Sequence, residues 1–215
     1  MGGADYLDPY REAFEDAGPR FEALLWKNPR AQIARFDAAI DTVSMRDAVV
    51  ADLGCGLGDL ALRLDERGAR PLKYIGVEGV GGLAEAALKK ISGLGFATAV
   101  HEADFVAEAG VFEDLVRDHG VRVLVFSGSL NTLKQREAER VLDRAWGAIA
   151  PATGAGLVFN FLSDRHGGRR TEATGPANRY DTVRALGWAM DRTPLVRFSQ
   201  DYLEGHDATI AMIAG

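Results

Sequence analysis

The sixteen residues from Val49 to Leu64, VVADLGCGLGDLALRL, constrain the fold more than any other stretch of the sequence. An apolar run is followed by a cluster of glycines, and then by apolar residues at helical spacing. This order predicts a strand, a tight turn and a helix packed through one face. In doubly wound sheets, such a turn brings backbone N–H groups at a helix amino end close to a ligand. We therefore expect a ligand site at residues 54–58.

Apolar runs of strand length recur along the chain up to residue 162. Between them, apolar residues recur at helical spacing, as in Ala138, Val141, Leu142, Ala145 and Ile149. Strands that are apolar on both faces and alternate with helices predict a parallel sheet covered on both sides. The predicted strands are 48–53, 72–77, 96–102, 121–126 and 157–162.

Both ends of the chain depart from this alternation. Asn28 as N-cap and Pro29 as first helical residue predict a helix before the first strand, with an apolar face of Ile33, Phe36, Ile40 and Val43. Residues 163–178 are polar, glycine-rich and basic, and they are too long for a simple connection. A helix then follows, with an apolar stripe of Val183, Leu186 and Met190.

The last part of the chain predicts a β-hairpin. Strand-like runs at 195–202 and 208–213 are joined by a turn at 203–206, which is typical of an antiparallel pair at a sheet edge. The whole pattern predicts an α/β fold, Rossmann-like, with a seven-stranded, mostly parallel sheet, helices on both faces and an N-terminal helical cap. We expect one domain, with a cap at 1–46, a cofactor-binding core at 47–162 and a substrate-side segment with the hairpin at 163–215.

The composition excludes several classes of function. A net charge of -6 gives no broad basic surface, so we expect no nucleic-acid partner. The single cysteine, Cys55, excludes an internal disulfide and cysteine-based metal sites, and it favours an intracellular compartment. Because no apolar run reaches the length of a membrane span, about 18 residues, we expect a cytoplasmic protein without membrane contact. The sequence leaves the oligomeric state open, a homodimer included.

The glycine spacing discriminates among nucleotide cofactors. A dinucleotide site places glycines at the first, third and sixth positions of the turn, but the sixth position counted from Gly54 is Asp59. A carboxylate there would face the pyrophosphate, so NAD and FAD are disfavoured. The turn also lacks the Gly-Lys-Ser/Thr ending of a phosphate-binding loop, which argues against ATP and GTP.

The turn DLGCGLG, residues 52–58, resembles the first motif of class I S-adenosylmethionine-dependent methyltransferases, and the resemblance covers roughly residues 47–162. It implies that this turn wraps the methionine half of S-adenosylmethionine, and that Glu78 binds the ribose hydroxyls. It also implies that Asp104 binds the adenine amino group beside Phe105, and that S-adenosylhomocysteine is the product. The cofactor-binding residues implied in this way are Asp52, Gly54, Cys55, Gly56, Gly58, Glu78, Gly79, Asp104, Phe105, Ser127, Gly128 and Ser129.

The charge of this cofactor agrees with the resemblance. S-adenosylmethionine carries a sulfonium cation and no phosphate, so carboxylates stabilise it where they would repel a pyrophosphate. The carboxylates that fit this argument are Asp52, Asp59, Glu78 and Asp104.

The predicted cap contributes two further candidates. Arg35 is a candidate partner of the cofactor's methionine carboxylate, and Trp26 could shape the acceptor pocket or face the sulfonium. The alternative is a buried Trp26 and a surface Arg35.

The expected reaction is an in-line methyl transfer to an oxygen or nitrogen of a small-molecule acceptor, with the reacting atoms about 3 to 3.5 Å apart. An acceptor that loses a proton needs a base. His206 is the first candidate because imidazole titrates near neutrality, and the others are Asp201, Tyr202 and His166. We expect no catalytic metal, since Asp164 and Asp201 are too few carboxylates for a cluster.

Several alternatives stay open at this level. The basic residues Arg165, His166, Arg169 and Arg170 belong either to a lid that recruits an acidic substrate or to a solvated loop. Residues 127–131, SGSLN, lack the Asn/Asp-Pro-Pro-Tyr pattern with which similar enzymes methylate nucleic-acid bases. Two other functions compete with methyl transfer: a catalytically silent binding or assembly module, and a nicotinamide-dependent oxidoreductase.

Overall fold

The structure is a computed structural model, and it describes residues 6–166 and 174–215. The helices of these residues are α1 (Asp8–Ala17), α2 (Pro29–Thr42), α3 (Asp59–Glu66), α4 (Gly81–Ile91), α5 (Val111–His119), α6 (Gln135–Ile149) and α7 (Thr182–Met190). The strands are β1 (Val49–Leu53), β2 (Lys73–Glu78), β3 (Ala97–Glu102), β4 (Val123–Ser127), β5 (Gly156–Ser163), β6 (Arg179–Tyr180), β7 (Val196–Ser199) and β8 (Asp207–Ile213). Within the described part of the chain, no helix is long and apolar enough to cross a membrane.

The strands form one sheet in the order β3-β2-β1-β4-β5-β8-β7. Strands β1 to β5 are parallel, whereas β8 lies between β5 and β7 and is antiparallel to both. The predicted fold class is therefore confirmed, including the antiparallel hairpin. The two-residue strand β6, which was not predicted, pairs with the end of β5 outside this path. The strand order reverses between β1 and β4, and such a point opens a crevice at the carboxyl ends of the strands.

Alternate residues of the central strands enter two cores, one on each face of the sheet. In β1, Val50 packs with residues of α2 and α3, whereas Ala51 packs with residues of α5 and α6. The apolar stripes predicted for α3 and α6 are buried against these cores. The strands are thus apolar on both faces because both faces are covered, as the sequence predicts.

Helix α2 begins as predicted and buries part of its predicted face, since Phe36 and Val43 are buried. Asn28 caps its amino end and Pro29 is the first helical residue. Ile33, predicted on the apolar face, is 41% exposed, while Gln32 and Arg35 are buried. The spacing of the apolar residues does not predict this orientation, because the inner side of α2 borders a polar cavity.

Helix α7 also turns away from its predicted stripe. Val183 and Met190 are 63% and 61% exposed, and the buried positions are Thr182, Ala185 and Ala189. Small side chains allow a helix to approach a sheet closely, so packing selects this face over the more apolar one.

The closing hairpin has a longer connection than predicted. Strand β7 ends at Ser199, and residues 200–206 lead to β8 through a 3-10 turn at Leu203–Gly205. Leu203 and Glu204 adopt positive φ angles of 49° and 57° in this turn. For this reason the end predicted for the first strand of the hairpin, residue 202, is wrong, and β7 ends at Ser199.

Helix α1 and a 3-10 turn at Phe21–Leu24 were not predicted. Helix α1 packs against the first turn of α4, where a Cβ at Gly82 would lie 2.2 Å from the ring of Phe14. The sequence does contain a signal for this helix, since Tyr10 and Phe14 lie four positions apart after Pro9.

Candidate active site

A cavity of about 1130 Å³ lies at the carboxyl ends of β1, β2 and β4. The cap residues from α1 to α2 cover it on one side, and the segment after β5 together with the hairpin connection covers it on another. The turn between β1 and α3 therefore borders the crevice that the strand order opens.

The glycine turn approaches the β4 end closely. Gly54 has a φ angle of 76°, and a Cβ at this position would lie 2.4 Å from the Cβ of Ser129. Only glycine combines this conformation with this approach. Gly54 and Gly56 line the cavity as predicted, but Gly58 does not. A Cβ at Gly58 would lie 2.6 Å from Ile91 of α4, so this glycine serves the packing of α3 against α4.

Glu78 ends β2 directly beside the turn. Its buried carboxylate accepts hydrogen bonds from the backbone N–H of Gly56 at 2.8 Å and of Val80 at 3.0 Å. Burial raises the pKa of this carboxyl, and the backbone donors oppose the effect only in part. Glu78 and the neighbouring Gly79 both line the cavity. The structure thus joins the glycine turn and the acid that the sequence singled out.

Asp52 of β1 and Cys55 of the turn both line the cavity. The carboxylate of Asp52 accepts a hydrogen bond from the Tyr74 hydroxyl at 2.6 Å. Burial, with the charge of Glu78 as a further cause, raises the pKa of Asp52 to about 7. Burial also raises the pKa of the Cys55 thiol, whose Sγ would lie 2.6 Å from a Cβ at Gly76. Cys55 therefore acts through its small size, while Asp52 is a carboxyl whose charge the site controls.

Asp104 lines the cavity but already has partners. It accepts hydrogen bonds from the Tyr6 hydroxyl and, at 3.0 Å each, from the backbone N–H groups of Val106 and Ala107. Phe105 packs against a cluster of rings, with its centroid 5.7 Å from that of Phe126. The contact with Tyr6 brings the amino-terminal segment to the residue that the resemblance assigns to adenine.

The end of β4 contributes polar atoms that have no partner. Asn160 fixes this turn, because its Oδ1 accepts from Gly128 N at 2.9 Å and its Nδ2 donates to Ser127 Oγ at 3.2 Å. Ser129, Asn131 and Thr132 also line the cavity. Among the described residues, the buried atoms with no hydrogen-bond partner include Ser129 Oγ, Asn131 Oδ1 and Thr132 Oγ1.

The structure corrects the role given to Asp59. This residue does not line the cavity; it forms an ion pair with Lys90 and accepts a hydrogen bond from Gln32 at 3.3 Å. The first turn of α3 directs the side chain towards α4. Asp59 thus neither faces a ligand nor belongs to the carboxylates around it.

Arg35 and Trp26 lie together in the cavity wall. The Arg35 guanidinium carbon lies 4.7 Å from the centroid of the Trp26 ring, and the Arg35 side chain forms an ion pair with Asp207 of β8. Both charged side chains are less than a tenth exposed, at 7% and 3%. The alternative of a surface arginine is therefore wrong, and no sequence pattern indicates Asp207 as its partner.

The four predicted bases separate into two pairs. His206 and His166 line the cavity, with ring centroids 5.5 Å apart. Asp201 and Tyr202 do not reach it, because Asp201 accepts a hydrogen bond from Ser199 at 2.7 Å and the Tyr202 hydroxyl bonds to Thr209 at 2.7 Å. These bonds hold both side chains along the hairpin, so the structure does not support them as bases.

His206 is bound at both ring nitrogens. Its Nδ1 lies 3.1 Å from Asp207 Oδ2, and its Nε2 lies 2.8 Å from Nη2 of Arg179. Of the basic loop, Arg165 lies 3.4 Å from Asp164 and does not line the cavity. The predicted lid residues Arg169 and Arg170 lie outside the described residues.

Several residues that line the cavity were not predicted. Among them are Tyr6 and Tyr10 of the amino-terminal segment, and Arg179 of β6. The spacing of Tyr10 and Phe14 could have indicated an amphipathic α1, but no local pattern marks Arg179, which follows a polar segment.

Comparison with known proteins gives no match to a family model or to a curated protein, but many solved structures share the fold. The DhpI–SAH complex has a TM-score of 0.66 at 14% identity, over 98% of this chain and 95% of that one. Magnesium protoporphyrin IX methyltransferase from Synechocystis PCC 6803, with bound SAH, has a TM-score of 0.62 at 14% identity, over 98% and 97%. The fold is that of the class I S-adenosylmethionine-dependent methyltransferases.

A third solved structure with this fold belongs to a longer protein. Phosphoethanolamine N-methyltransferase 1 from Haemonchus contortus, in complex with phosphoethanolamine and S-adenosylhomocysteine, has a TM-score of 0.68 at 11% identity. The comparison covers all of this chain but only 50% of that one.

The cavity residues fit the cofactor that goes with this fold. S-adenosylmethionine is a nucleoside with a sulfonium cation and has no phosphate. Carboxylates bind its hydroxyls and its cation, and hydroxyl groups bind its other polar atoms. The cavity supplies Asp52, Glu78 and Asp104, and it supplies the unpartnered hydroxyl of Ser129. Because Gly54 has no side chain, the backbone of the turn can lie close to Ser129.

Proposed function

We propose that this protein transfers a methyl group from S-adenosylmethionine to a small-molecule acceptor. The observation that carries the proposal is the Glu78 carboxylate, which is held by Gly56 N at 2.8 Å at the edge of a cavity bordered by the glycine turn. A buried carboxylate beside a turn of positive φ suits a ligand with hydroxyls and a cation better than a pyrophosphate. The methyltransferase fold supports the same conclusion.

The proposed cofactor contacts follow from the cavity wall. Glu78 would bind the ribose hydroxyls, Asp104 the adenine amino group beside Phe105, and the turn at 54–56 the methionine half. Residues 127–129 and Asp52 would complete the wall. When bound, S-adenosylmethionine supplies the electrophilic methyl carbon. Tyr6 must release Asp104, at least in part, for this adenine contact to form.

We further propose that the whole chain acts as one domain. The cap residues 1–46 supply Trp26 and Arg35, and the closing segment 163–215 supplies His206 and Asp207 to the same cavity as the core. Neither the core nor the hairpin alone encloses this space, so the cavity needs all three parts of the predicted domain.

His206 is the proposed general base for an acceptor that loses a proton. Asp207 bonds to its Nδ1 and would stabilise the imidazolium that forms when Nε2 takes the proton. Asp207 is itself held by the buried Arg35, so the orientation of the ring rests on two linked contacts.

A small acceptor in the cytoplasm, rather than a nucleic acid, agrees with the charge of the chain. The net charge of -6 disfavours a phosphate backbone as partner, and residues of the cap form part of the cavity wall. The cavity volume of about 1130 Å³ is sufficient for a cofactor and a small acceptor together.

Calorimetric titration of the protein with S-adenosylmethionine, S-adenosylhomocysteine and NADH tests this proposal. We expect micromolar binding of the first two and none of NADH. The Glu78→Gln variant should bind about tenfold to hundredfold more weakly, because it loses a charged hydrogen-bond acceptor. Glu102→Gln is the matched control, since Glu102 ends β3 but does not line the cavity.

Each other outcome points to a competing function. Binding of NADH alone would favour the oxidoreductase, and binding of none of the three ligands would favour the silent module. Equal affinities of the two glutamine variants would contradict the role of Glu78. An assay for S-adenosylhomocysteine formed in the presence of small acceptors then separates catalysis from cofactor binding.

A further inference from the structure

Arg179 stands in the cavity wall without a carboxylate partner among the described residues. Its Nη1 donates to the backbone carbonyl of Ser163 at 2.8 Å, and its Nη2 contacts His206 at 2.8 Å. The buried Nε has no hydrogen-bond partner within the described part of the chain. Arg35, in the same wall, is instead neutralised by Asp207. A partly buried cation that lacks an anion is a place for an anionic ligand, because unpaired buried charge is costly.

The contact with Arg179 also assigns the protonation of His206. A guanidinium donates hydrogen bonds and accepts none, so Nε2 of His206 must be the acceptor. The ring proton then lies on Nδ1 and faces Asp207. The ring is therefore neutral, and its basic atom is covered by Arg179.

We propose that the methyl acceptor carries a carboxylate or phosphate group and that Arg179 binds this group. The inference rests on the proposed function, in which His206 is the base. Planar guanidinium groups bind both kinds of anion through two parallel hydrogen bonds. When Nη2 turns from His206 to the anion, it uncovers Nε2. Anion recognition and activation of the base are thus one event.

The proton transfer then balances within the site. The O–H or N–H bond of the acceptor breaks, and its proton bonds to Nε2 of His206. The electron pair stays on the acceptor atom, which would form its bond to the methyl carbon as the bond from that carbon to the sulfonium sulfur breaks and its electrons leave with the neutral thioether. The proton on Nδ1 remains between His206 and Asp207, whose negative charge stabilises the imidazolium. After product release, His206 returns its proton to solvent and Arg179 covers Nε2 again.

A second donor for the anion, the hydroxyl of Thr132, lies on the same wall of the cavity. Asn178, next to Arg179, donates to the backbone carbonyl of Asn131 at 3.3 Å and to that of Thr132 at 3.2 Å. Thr132 Oγ1 is buried and has no hydrogen-bond partner among the described residues, so its hydroxyl is available to an anion oxygen. Glu204 also borders the cavity, but it is exposed and forms no ion pair with Arg179.

The test titrates the protein, saturated with S-adenosylhomocysteine, with inorganic phosphate and separately with benzoate. Binding is measured by calorimetry and by the 15N chemical shift of His206 Nε2, assigned with His206→Gln. We expect one anion or both to bind and to move this shift, and the tighter anion identifies the acceptor group as phosphate or carboxylate. Arg179→Met should weaken binding about tenfold or more. Arg136→Met, an exposed site on α6 outside the cavity, should not.

Arg179→Lys guards against a folding defect, which circular dichroism would reveal in either variant. It keeps the charge but loses the planar fork, so we expect an intermediate loss of anion binding. The inference is overturned if neither anion binds the wild-type complex, or if Arg179→Met and Arg179→Lys bind both anions as wild type does. Loss of S-adenosylhomocysteine binding in the wild type would instead refute the proposed function, and the two failures are therefore distinct.

Discussion

Replacing Asp52 by asparagine should remove much of the pH dependence of the stability of the ligand-free protein. Asp52 is 3% exposed, and its carboxylate has the Tyr74 hydroxyl as its partner at 2.6 Å. Burial raises its pKa to about 7, with the charges of Glu78 and Asp59 as further causes. An asparagine can still accept the hydrogen bond from Tyr74, so the variant removes the ionisation and keeps the contact.

The sign and size of the effect follow from this pKa. The folded protein holds the Asp52 proton more tightly than the unfolded chain, in which the pKa is 3.8. The contribution of Asp52 to the free energy of unfolding therefore falls as the pH rises from about 4 to about 7, and it is constant above that range. Since each pKa unit corresponds to about 1.36 kcal/mol, the ionised carboxylate costs the folded state about 4 kcal/mol.

Urea unfolding between about pH 5 and about pH 8 measures this contribution. The stability of Asp52→Asn relative to wild type should grow by about 3 kcal/mol across the range and level off near its upper end. Asp41→Asn is the control, because Asp41 is exposed, lies outside the cavity and is not among the charges that raise the pKa of Asp52. Parallel pH profiles of Asp52→Asn and wild type would refute the argument that burial governs this carboxyl.

The same carboxyl distinguishes two ligands that differ in one charge. A sulfonium cation in the cavity compensates an ionised Asp52, whereas the neutral thioether of S-adenosylhomocysteine does not. S-adenosylmethionine should therefore gain affinity relative to S-adenosylhomocysteine as the pH rises through about 7, and Asp52→Asn should lose this gain. A ratio of affinities that is independent of pH in the wild type would place Asp52 away from the sulfonium.

Three further changes test other parts of the site. Gly54→Ala should abolish cofactor binding and destabilise the protein by about 1 to 3 kcal/mol, because its φ is positive and a Cβ would clash, whereas Gly93→Ala has open space and should change neither quantity in calorimetry or urea unfolding. Arg35→Met should cost about 3 to 5 kcal/mol by leaving Asp207 buried and unpaired, and adding Asp207→Asn should recover most of the loss; no recovery would refute the pairing. His206→Ala should lower turnover of the acceptor and flatten its pH profile, and an unchanged profile would exclude His206 as the base.

The sequence predicted the sheet well because both faces of its central strands are buried. Apolar runs then mark the strands directly, and the glycine turn and Glu78 follow from the strand ends. The buried face of α7 was predicted poorly, and that of α2 only in part. Periodicity finds the most apolar stripe, but α7 packs through Ala185 and Ala189, and α2 turns Arg35 towards a polar cavity.

The surroundings of His206 escaped sequence reasoning for a different reason. His206 was predicted from its residue type, but the groups that control it come from distant parts of the chain: Arg179 from β6 and Arg35 from α2. Their partnership is set by the order of strands in the sheet, which brings β8 beside β5. The prediction for Asp59 failed in the opposite way. Its position in the motif suggested a ligand contact, but the first turn of α3 directs its side chain towards Lys90.

The ion pair between Arg35 and Asp207 does not exclude Arg35 from the cofactor. Its Nη2 is used by Asp207, but its buried Nε has no hydrogen-bond partner among the described residues. One guanidinium can therefore hold Asp207 and still donate to a carboxylate in the cavity, as a planar fork with several donors allows. If the methionine carboxylate of the cofactor binds there, cofactor and base are linked through Arg35, because the same side chain fixes Asp207 and Asp207 orients His206. The affinity for S-adenosylmethionine and the pH profile of turnover should then both change in Arg35→Lys, while Asp207→Asn should change the pH profile more than the affinity.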